Sequence, residues 1–219
     1  MDTTLTRAIG IGAGGHARVV IDILRLQRSI EVVGLLDVNP DLWGTEVDGV
    51  PVLGDDHKLE DIYKQGVTSA FNGIGSTPDI LPRKLVYEQA SAIGFSFIES
   101  IHPSAIVASS VNMGPGVTIM AQAVINSGAK LGSNVIINTG AVVEHDCIIG
   151  SHSHVATGSH IGGGVNLGNG CHIGLGACVR NGVSIGEGSI IGAGAAVVND
   201  VPKGLIVGGV PARLLKQIP

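Results

Sequence analysis

The second half of the chain is built on a strict six-residue repeat. In steps of six from Val107 to Val197, all sixteen positions are apolar, and fifteen of them are Val, Ile or Leu. We number each hexad from these residues; place five is always Val, Ala, Ser or Cys, and Gly is frequent at places two and four. Such a period is typical of a strand-and-turn unit that forms one side of a triangular prism, with three units to a coil. The repeat therefore predicts a parallel β-helix over residues 101–219.

The composition agrees with a thin, regular core and excludes several classes of protein. The 219 residues include 34 Gly but only 3 Phe, 2 Tyr and 1 Trp, so the core is built from aliphatic side chains. A net charge of −5 argues against nucleic acid or an anionic membrane as a partner. The 3 Cys form no C-x-x-C pair, which argues against a disulfide framework or a zinc ribbon. Without a leader peptide or an apolar run of 18 residues, we expect a cytoplasmic protein.

Residues 1–100 have a different pattern, in which short apolar runs alternate with helical spacings. The predicted elements are a strand over 7–12, a helix over 16–27, a strand over 31–37, a helix near 55–64, a strand over 67–75 and a helix over 78–94. Strands that alternate with helices indicate a parallel sheet. We therefore expect a Rossmann-like α/β domain before the β-helix.

The first strand is followed by a glycine-rich loop, "GIGAGGHA" at 10–17. It contains Gly12, Gly14 and Ala17 at the spacing of a dinucleotide fingerprint, and Asp37 ends the next strand about 20 residues later. However, about 100 residues hold only one mononucleotide-binding unit, and the repeat stands where the second would be. The loop therefore predicts a bound nucleotide without nicotinamide chemistry.

His145 is the histidine with the clearest chemical context. It occupies place three of its hexad, an outward turn position, between Glu144 and Asp146. A carboxylate that holds one imidazole nitrogen makes the other a general base near neutral pH. Eighteen residues on, Gly163 and Gly164 should leave space for a substrate above the pair. His145 is thus the predicted base, with Asp146 or Glu144 as its partner.

The other repeat histidines have a plainer interpretation. His152, His154, His160 and His172 occupy places four and six, so none points inward and none is expected to be buried. Solvated polar positions are the simplest interpretation of His152, His160 and His172. Cys147 and Cys171 occupy the inward place five, where they are expected to act as small core residues.

The segments "NTGAVVEHDCIIGSHSHVATGS" and "IGGGVNLGNGCHIGLGACV" resemble the sugar-nucleotide acetyltransferases related to bacillosamine and perosamine N-acetyltransferases. They are also similar to sialic-acid O-acetyltransferase-like proteins. The resemblance implies a left-handed β-helix, with His145 as the catalytic base and Asp146 as the acid that raises its basicity. It assigns His154, Gly163 and Leu175 to acetyl-CoA. The tail "VGGVPARLLK" at 207–216 matches the family ending that closes the coenzyme site.

The same resemblance assigns the N-terminal domain to a nucleotide-linked sugar. Gly14, Gly15 and His16 match positions near the phosphates or the sugar, Asp37 matches an acid that faces the nucleoside, and Gly75 matches a backbone contact. It further implies a homotrimer with active sites between subunits and no metal.

The expected activity is acetyl-CoA-dependent N-acetylation of the C4 amino group of a nucleotide-linked 4-amino-4,6-dideoxyhexose. GDP-perosamine and the UDP-linked precursor of bacillosamine are the two substrate types that the resemblance implies, with an O-antigen or a similar glycan as the destination. The alternatives are a sialic-acid type O-acetyltransferase, a zinc-dependent β-helix hydratase and a sugar-nucleotide sensor without catalysis.

Overall fold

The computed structural model describes residues 5–76 and 79–218. Pro78, the first residue of the helix predicted over 78–94, lies outside the described residues. The chain forms two compact units, the first comprising Met1–Gly75 and Leu81–Pro103, the second comprising Ser76–Ile80 and Ser104–Pro219. The sequence analysis places a single boundary after residue 100, whereas the second unit also includes a short segment from within the N-terminal half.

The first unit is an α/β domain, as predicted. Its strands are β1 (Thr6–Ile11), β2 (Ile30–Leu36), β3 (Glu46–Val47), β4 (Val50–Gly54), β5 (Ser69–Asn72), β6 (Ser96–Phe97) and β7 (Ser100–Ile101). Its helices are α1 (Gly15–Gln27), α2 (Leu59–Lys64) and α3 (Leu81–Ile93), with short 3₁₀ helices at Pro40–Leu42 and Asp56–Lys58. The sheet order is β3-β4-β2-β1-β5-β6, and every pair is parallel except β3 with β4.

Both faces of this sheet are covered by apolar side chains. α1 contributes Val20, Ile21 and Leu24 to a buried cluster that also contains Phe71 of β5. A second buried cluster contains Ile9 of β1 together with residues of α2 and α3, and it lies on the side of the sheet that these helices cover. Burial on both faces explains why residues 8–11 of β1 form a continuous apolar run rather than an alternating pattern.

The second unit is a left-handed parallel β-helix. Sixteen two-residue strands, β8 to β23, follow one another at intervals of six residues: Ile106–Val107, Asn112–Met113, Thr118–Ile119, Val124–Ile125, Lys130–Leu131, Ile136–Ile137, Val142–Val143, Ile148–Ile149, His154–Val155, His160–Ile161, Asn166–Leu167, His172–Ile173, Cys178–Val179, Ser184–Ile185, Ile190–Ile191 and Ala196–Val197. Each strand pairs with the strand 18 residues away, as in Val142 with His160. Three parallel sheets result, one on each side of the prism.

The repeat positions behave as the periodicity predicts. Places one and five are buried in every hexad from Val117 to Val201, and the first coil is half-buried at Val107 and Met113. Place four has a positive φ in every hexad from Gly116 to Gly194. Ten of those fourteen positions are Gly, because the left-handed region costs Gly no steric strain. The exceptions are Gln122, Asn134, Asp146 and His152.

The chain ends in an antiparallel pair of strands, β24 (Leu205–Gly208) and β25 (Arg213–Gln217). β24 adds to the sheet that contains β16, β19 and β22, so the C-terminal tail extends one side of the prism. Within the described residues, no helix is long and apolar enough to cross a bilayer.

The inward-pointing side chains at places one and five should contribute most of the stability of the second unit. Leu131 points inward and is buried, whereas its neighbour Lys130 points outward and is exposed. We predict that Leu131→Ala lowers the free energy of unfolding by about 2–5 kcal/mol, since it leaves a cavity in the stack. Lys130→Ala should change it by less than about 0.5 kcal/mol. Urea denaturation of the two variants checks this, and equal losses would contradict the assignment of the column.

Candidate active site

The proposed base and its acid lie together in one turn of the β-helix. His145 and Asp146 occupy the turn between β14 and β15, with His145 Nδ1 at 2.9 Å from Asp146 Oδ2. Asp146 stands at place four with φ 59°, where Gly is usual and Asp is one of the few other residues that adopt this conformation. Both side chains are mostly exposed, at 60% and 73%. The turn therefore presents a carboxylate–imidazole pair to the outside of the prism.

The hydrogen bond distinguishes between the two carboxylates that flank His145. Asp146 raises the pKa of His145, first through this hydrogen bond and then through its charge, while Glu144 adds only a smaller electrostatic contribution. Glu144 Oε2 instead accepts a hydrogen bond from Asn126 Nδ2 at 2.9 Å, on the preceding coil. The contact partner of His145 is thus Asp146, and the short Asp side chain reaches the ring.

Glycines above and below make room for the pair rather than for an empty groove. A Cβ added to Gly163 would lie 2.6 Å from His145 Nε2, because the imidazole itself occupies that space. A Cβ added to Gly128, one coil below Asp146, would lie 2.5 Å from Asp146 Oδ1. The expectation of vacant space above His145 is therefore wrong at Gly163. It is confirmed at Gly164, where an added Cβ would meet no atom within 4 Å.

The backbone around Gly163 offers one hydrogen-bond donor. Gly162 N–H donates to Val179 O at 2.9 Å, and Gly164 N–H donates to His145 O at 2.8 Å. Among the residues that the structure describes, Gly163 N–H makes no such bond. Gly163 adjoins the ring of His145, so its amide is the candidate donor to an oxygen atom of a ligand.

His154 and His172 are buried, contrary to the expectation from their hexad places. Their exposures are 4% and 6%, and the rings meet edge to face with centroids 5.0 Å apart. Ser76, which belongs to the second unit, contacts His154, with its Oγ 2.9 Å from His154 Nδ1. Burial lowers the pKa of His172. His160 is exposed, as predicted, and His152 is half-exposed, with its Nδ1 3.0 Å from Asn134 Nδ2.

The inward cysteines behave as core residues. Cys147 and Cys171 are fully buried, as predicted from place five. Burial raises the pKa of both thiols, that of Cys171 to about 11, so neither is a thiolate near neutral pH. A cysteine nucleophile next to His145 is therefore a poor interpretation of this site.

The residues that the resemblance assigns to the coenzyme are not all close together within one chain. Gly163 stands on the same corner of the prism as His145, one coil further on. Leu175 is also at place three but two hexads later, so it occupies a different corner, where it is 56% exposed. His154 lies on a flat side, in β16. The three positions therefore do not share one corner of the prism.

In the first unit, the glycine-rich loop begins α1. Gly14 is the N-cap of this helix, and a Cβ at Gly14 or Gly15 would meet no atom within 4 Å. Ala13 N–H donates to Asp37 Oδ2 at 2.7 Å, and Asn39 N–H donates to Oδ1 at 2.9 Å. Asp37 therefore fixes the shape of the loop. The open N-terminus of a 13-residue helix is suited to an anionic group.

His16 and Gly75 are neighbours at this loop. A Cβ added to Gly75 would lie 3.4 Å from His16 Cβ. Arg83 Nη1 lies 3.4 Å from His16 Nε2, and it donates to Asn72 O at 3.1 Å and to Ile74 O at 2.6 Å. Because a guanidinium has no acceptor, Nε2 accepts and the proton of a neutral His16 is on Nδ1. His16 and Gly75, which the resemblance assigns to the substrate, are therefore close to each other at this loop.

Sequence reasoning missed Arg83. It is 1% exposed, and burial lowers its pKa to about 9. An arginine within a helical pattern is ordinarily predicted to be exposed, and only the fold shows that this one lies behind the loop. Across the described ranges, no group of three or more His, Cys, Asp or Glu side chains is arranged to hold a metal ion.

Comparison with known proteins gives consistent results for both halves. Residues 8–90 match the PglD N-terminal domain family, and residues 110–145 and 128–163 match the bacterial transferase hexapeptide family. Curated protein sequences give no significant match.

Solved structures include relatives over the whole chain. A variant of perosamine N-acetyltransferase from Caulobacter crescentus, in complex with CoA and GDP-perosamine, is 40% identical with a TM-score of 0.90; the match covers 98% of this chain and 99% of that one. The acetyltransferase domain of PglB from Neisseria gonorrhoeae is 34% identical with a TM-score of 0.88, over 96% of this chain and 100% of that one. WeeI from Acinetobacter baumannii, at 24% identity and a TM-score of 0.68, shares the fold. The chain belongs to the family of hexapeptide-repeat sugar-nucleotide N-acetyltransferases.

Proposed function

We propose that the protein transfers an acetyl group from acetyl-CoA to the C4 amino group of a nucleotide-linked 4-amino-4,6-dideoxyhexose of the GDP-perosamine type. The observation that carries the proposal is the hydrogen bond of 2.9 Å between His145 and Asp146 in an exposed turn against Gly163. The relatives that were crystallised with CoA and GDP-perosamine support the two substrates. They favour an amine over the hydroxyl of a sialic acid as the acceptor.

In the proposed reaction His145 is the general base. Asp146 accepts a hydrogen bond from Nδ1–H, so Nε2 carries the lone pair that removes a proton from the sugar amine as the amine attacks the thioester. A C–N bond forms, and the oxyanion of the tetrahedral intermediate accepts a hydrogen bond from Gly163 N–H. The C–S bond then breaks, and the imidazolium returns its proton to the thiolate of CoA. No acyl-enzyme is required.

The first unit is the proposed holder of the nucleotide. The diphosphate binds at the N-terminus of α1, where Gly14 and Gly15 leave room and the helix dipole favours negative charge. His16 donates Nδ1–H to the phosphates or the sugar, Asp37 faces the nucleoside, and Gly75 contributes a backbone contact. Arg83 supplies a buried positive charge behind the same loop.

The proposed assembly is a homotrimer with the active sites between neighbouring β-helices. Gly163 and Leu175 occupy different corners of one prism. In the proposed assembly, the coenzyme touches Gly163 of one subunit and Leu175 of its neighbour. The proposed coenzyme contacts are His154, Gly163 and Leu175, of which His154 is 4% exposed within a single chain. A variant that stays monomeric is expected to be inactive.

Loss of the base is the most direct test. We expect His145→Gln to lower kcat by about 10²–10⁴-fold, the usual contribution of general base catalysis. Thiol release from acetyl-CoA is measured with GDP-perosamine, a UDP-linked and a dTDP-linked 4-amino sugar, and free sialic acid. His160→Gln, which changes an exposed histidine of the same β-helix, serves as the matched control. Near-normal turnover by His145→Gln, or turnover on sialic acid alone, would refute the proposal.

The partner carboxylate sets the pH dependence. Asp146 raises the pKa of His145, so Asp146→Asn should lower that pKa. A base is active only when deprotonated, so the acidic limb of the kcat profile should move to lower pH in this variant, with a reduced maximum. Titration of the histidine Cε1–H signal by NMR measures the same shift without substrate. Glu144→Gln is the control and should move it less; the reverse order would make Glu144 the partner.

Gly163 tests the placement of the ring. A methyl group at this residue would lie within 2.6 Å of His145 Nε2, so Gly163→Ala must displace the imidazole. We expect kcat to fall by about 10–100-fold, because catalysis is sensitive to misplacement of about 1 Å. Glu187→Ala, at place three of another corner, controls for the effect of Ala in such a turn. Unchanged kcat in Gly163→Ala would show that the ring acts from another position.

A further inference from the structure

The loop that follows β2 holds the single tryptophan of the chain, Trp43, in a fixed position. The side chain of Asn39 caps the short 3₁₀ helix Pro40–Leu42, which Trp43 follows directly. Gly44 N–H donates to Val52 O, in β4, at 2.9 Å. The turn that carries Trp43 is therefore bound to a capped 3₁₀ helix on one side and to the sheet on the other.

The indole of Trp43 is oriented by one hydrogen bond and is otherwise half-exposed. Its Nε1–H donates to Asp37 O at 2.7 Å, and the residue is 43% exposed. This N–H is the only hydrogen-bonding group of the side chain, so the contact satisfies it completely. The part that remains at the surface belongs to a large apolar ring, which proteins ordinarily bury for the most part. The loop thus presents aromatic surface at a fixed angle.

Asp37 links this tryptophan to the glycine-rich loop of the same unit. Its carbonyl holds the indole, and its carboxylate accepts a hydrogen bond from Ala13 N–H at 2.7 Å. Asp37 and Gly12 also line one cavity together with Val38, which is 75% exposed. The cavity lies at the carboxyl ends of β1 and β2, where open parallel sheets bind their ligands. Trp43 and Val38 therefore place exposed apolar surface beside the acid that is predicted to face the nucleoside.

We propose that Trp43 is a substrate-binding residue whose indole stacks on the base of the nucleotide sugar. The proposal rests on the proposed function, in which Asp37 faces the nucleoside. A nucleobase has flat π-faces and carries its polar groups at its edge, so an aromatic ring is a suitable partner for its face. Because the hydrogen bond to Asp37 already orients the indole, little side-chain entropy is lost when the base binds.

Stacking contributes affinity without a choice between bases. Every base has a π-face, so an aromatic platform tolerates a change of base. Trp43 should therefore contact guanine and uracil nucleotides alike. The choice between a GDP-linked and a UDP-linked sugar then depends on the groups that meet the edge of the base.

Fluorescence of the unmodified protein tests the contact directly. Because the sequence has 1 Trp, selectively excited tryptophan emission reports on Trp43 alone. Titration with GDP and with UDP should quench this emission. Perosamine 1-phosphate, which has no base, should leave it unchanged. Calorimetry measures the binding of the same nucleotides independently of the indole.

Two substitutions separate stacking from support of the loop. Trp43→Phe keeps an aromatic face but removes the N–H that Asp37 accepts, whereas Trp43→Leu removes both. We expect Trp43→Leu to raise KM for the nucleotide sugar about tenfold with kcat and KM for acetyl-CoA unchanged, and Trp43→Phe to stay within about threefold of the original protein. Leu26→Ala, which removes another exposed apolar side chain of the first unit, is the matched control and should leave all three constants unchanged.

Calorimetric binding of GDP without a change in emission would overturn the proposal. Equal KM values for Trp43→Phe and Trp43→Leu would also overturn it, because the aromatic face would then contribute nothing. If neither GDP nor UDP binds, this proposal and the proposed function both fail. Quenching by the nucleotides without acetylation of any amino sugar would refute the proposed function and leave the stacking contact established.

Discussion

The eighteen-residue register of the inward aliphatic columns is the constraint on which the β-helix and its site depend. Ile137 pairs with Val155, and Val155 pairs with Ile173, so each coil presents its apolar side chains to the coil above. A slip of one residue would turn the inward side chains outward, which the burial of apolar surface does not allow. The corners are therefore held in vertical rows as well. That is why His145 meets Gly163 although eighteen residues separate them.

The repeat predicted the fold of the second unit and the outward position of His145, because both follow from local spacing. It could not predict that His154 and His172 are buried, since His154 is contacted by Ser76, 78 positions before it, and His172 packs against the ring of His154. Arg83 is a similar case, because its burial depends on how α3 packs. The choice between Asp146 and Glu144 also needed the structure: it depends on the left-handed backbone at Asp146 and on the contact of Asn126 with Glu144.

In the first unit, the glycine-rich loop and the alternation of strands and helices gave a correct α/β domain, but the hairpin of β3 and β4 was not predicted. Its signal is the pair Asp48-Gly49, which joins the two strands and has positive φ at both residues. This is the usual pair for a tight hairpin turn. Asp37 has a role that its type and spacing did not predict. Both of its carboxylate oxygens accept hydrogen bonds from backbone amides, those of Ala13 and Asn39.

The vertical row that joins His145 to Gly163 also restricts how such a chain can evolve. One extra hexad between them would carry Gly163 to the next corner, and a deletion of six residues would do the same in the other direction. An insertion of one whole coil would return Gly163 to the same corner as His145, but the inserted coil would then lie between the two residues. Substitution of outward side chains, or changes in the loops of the first unit, would leave this register intact. Gain or loss of repeats between these two residues would break the site.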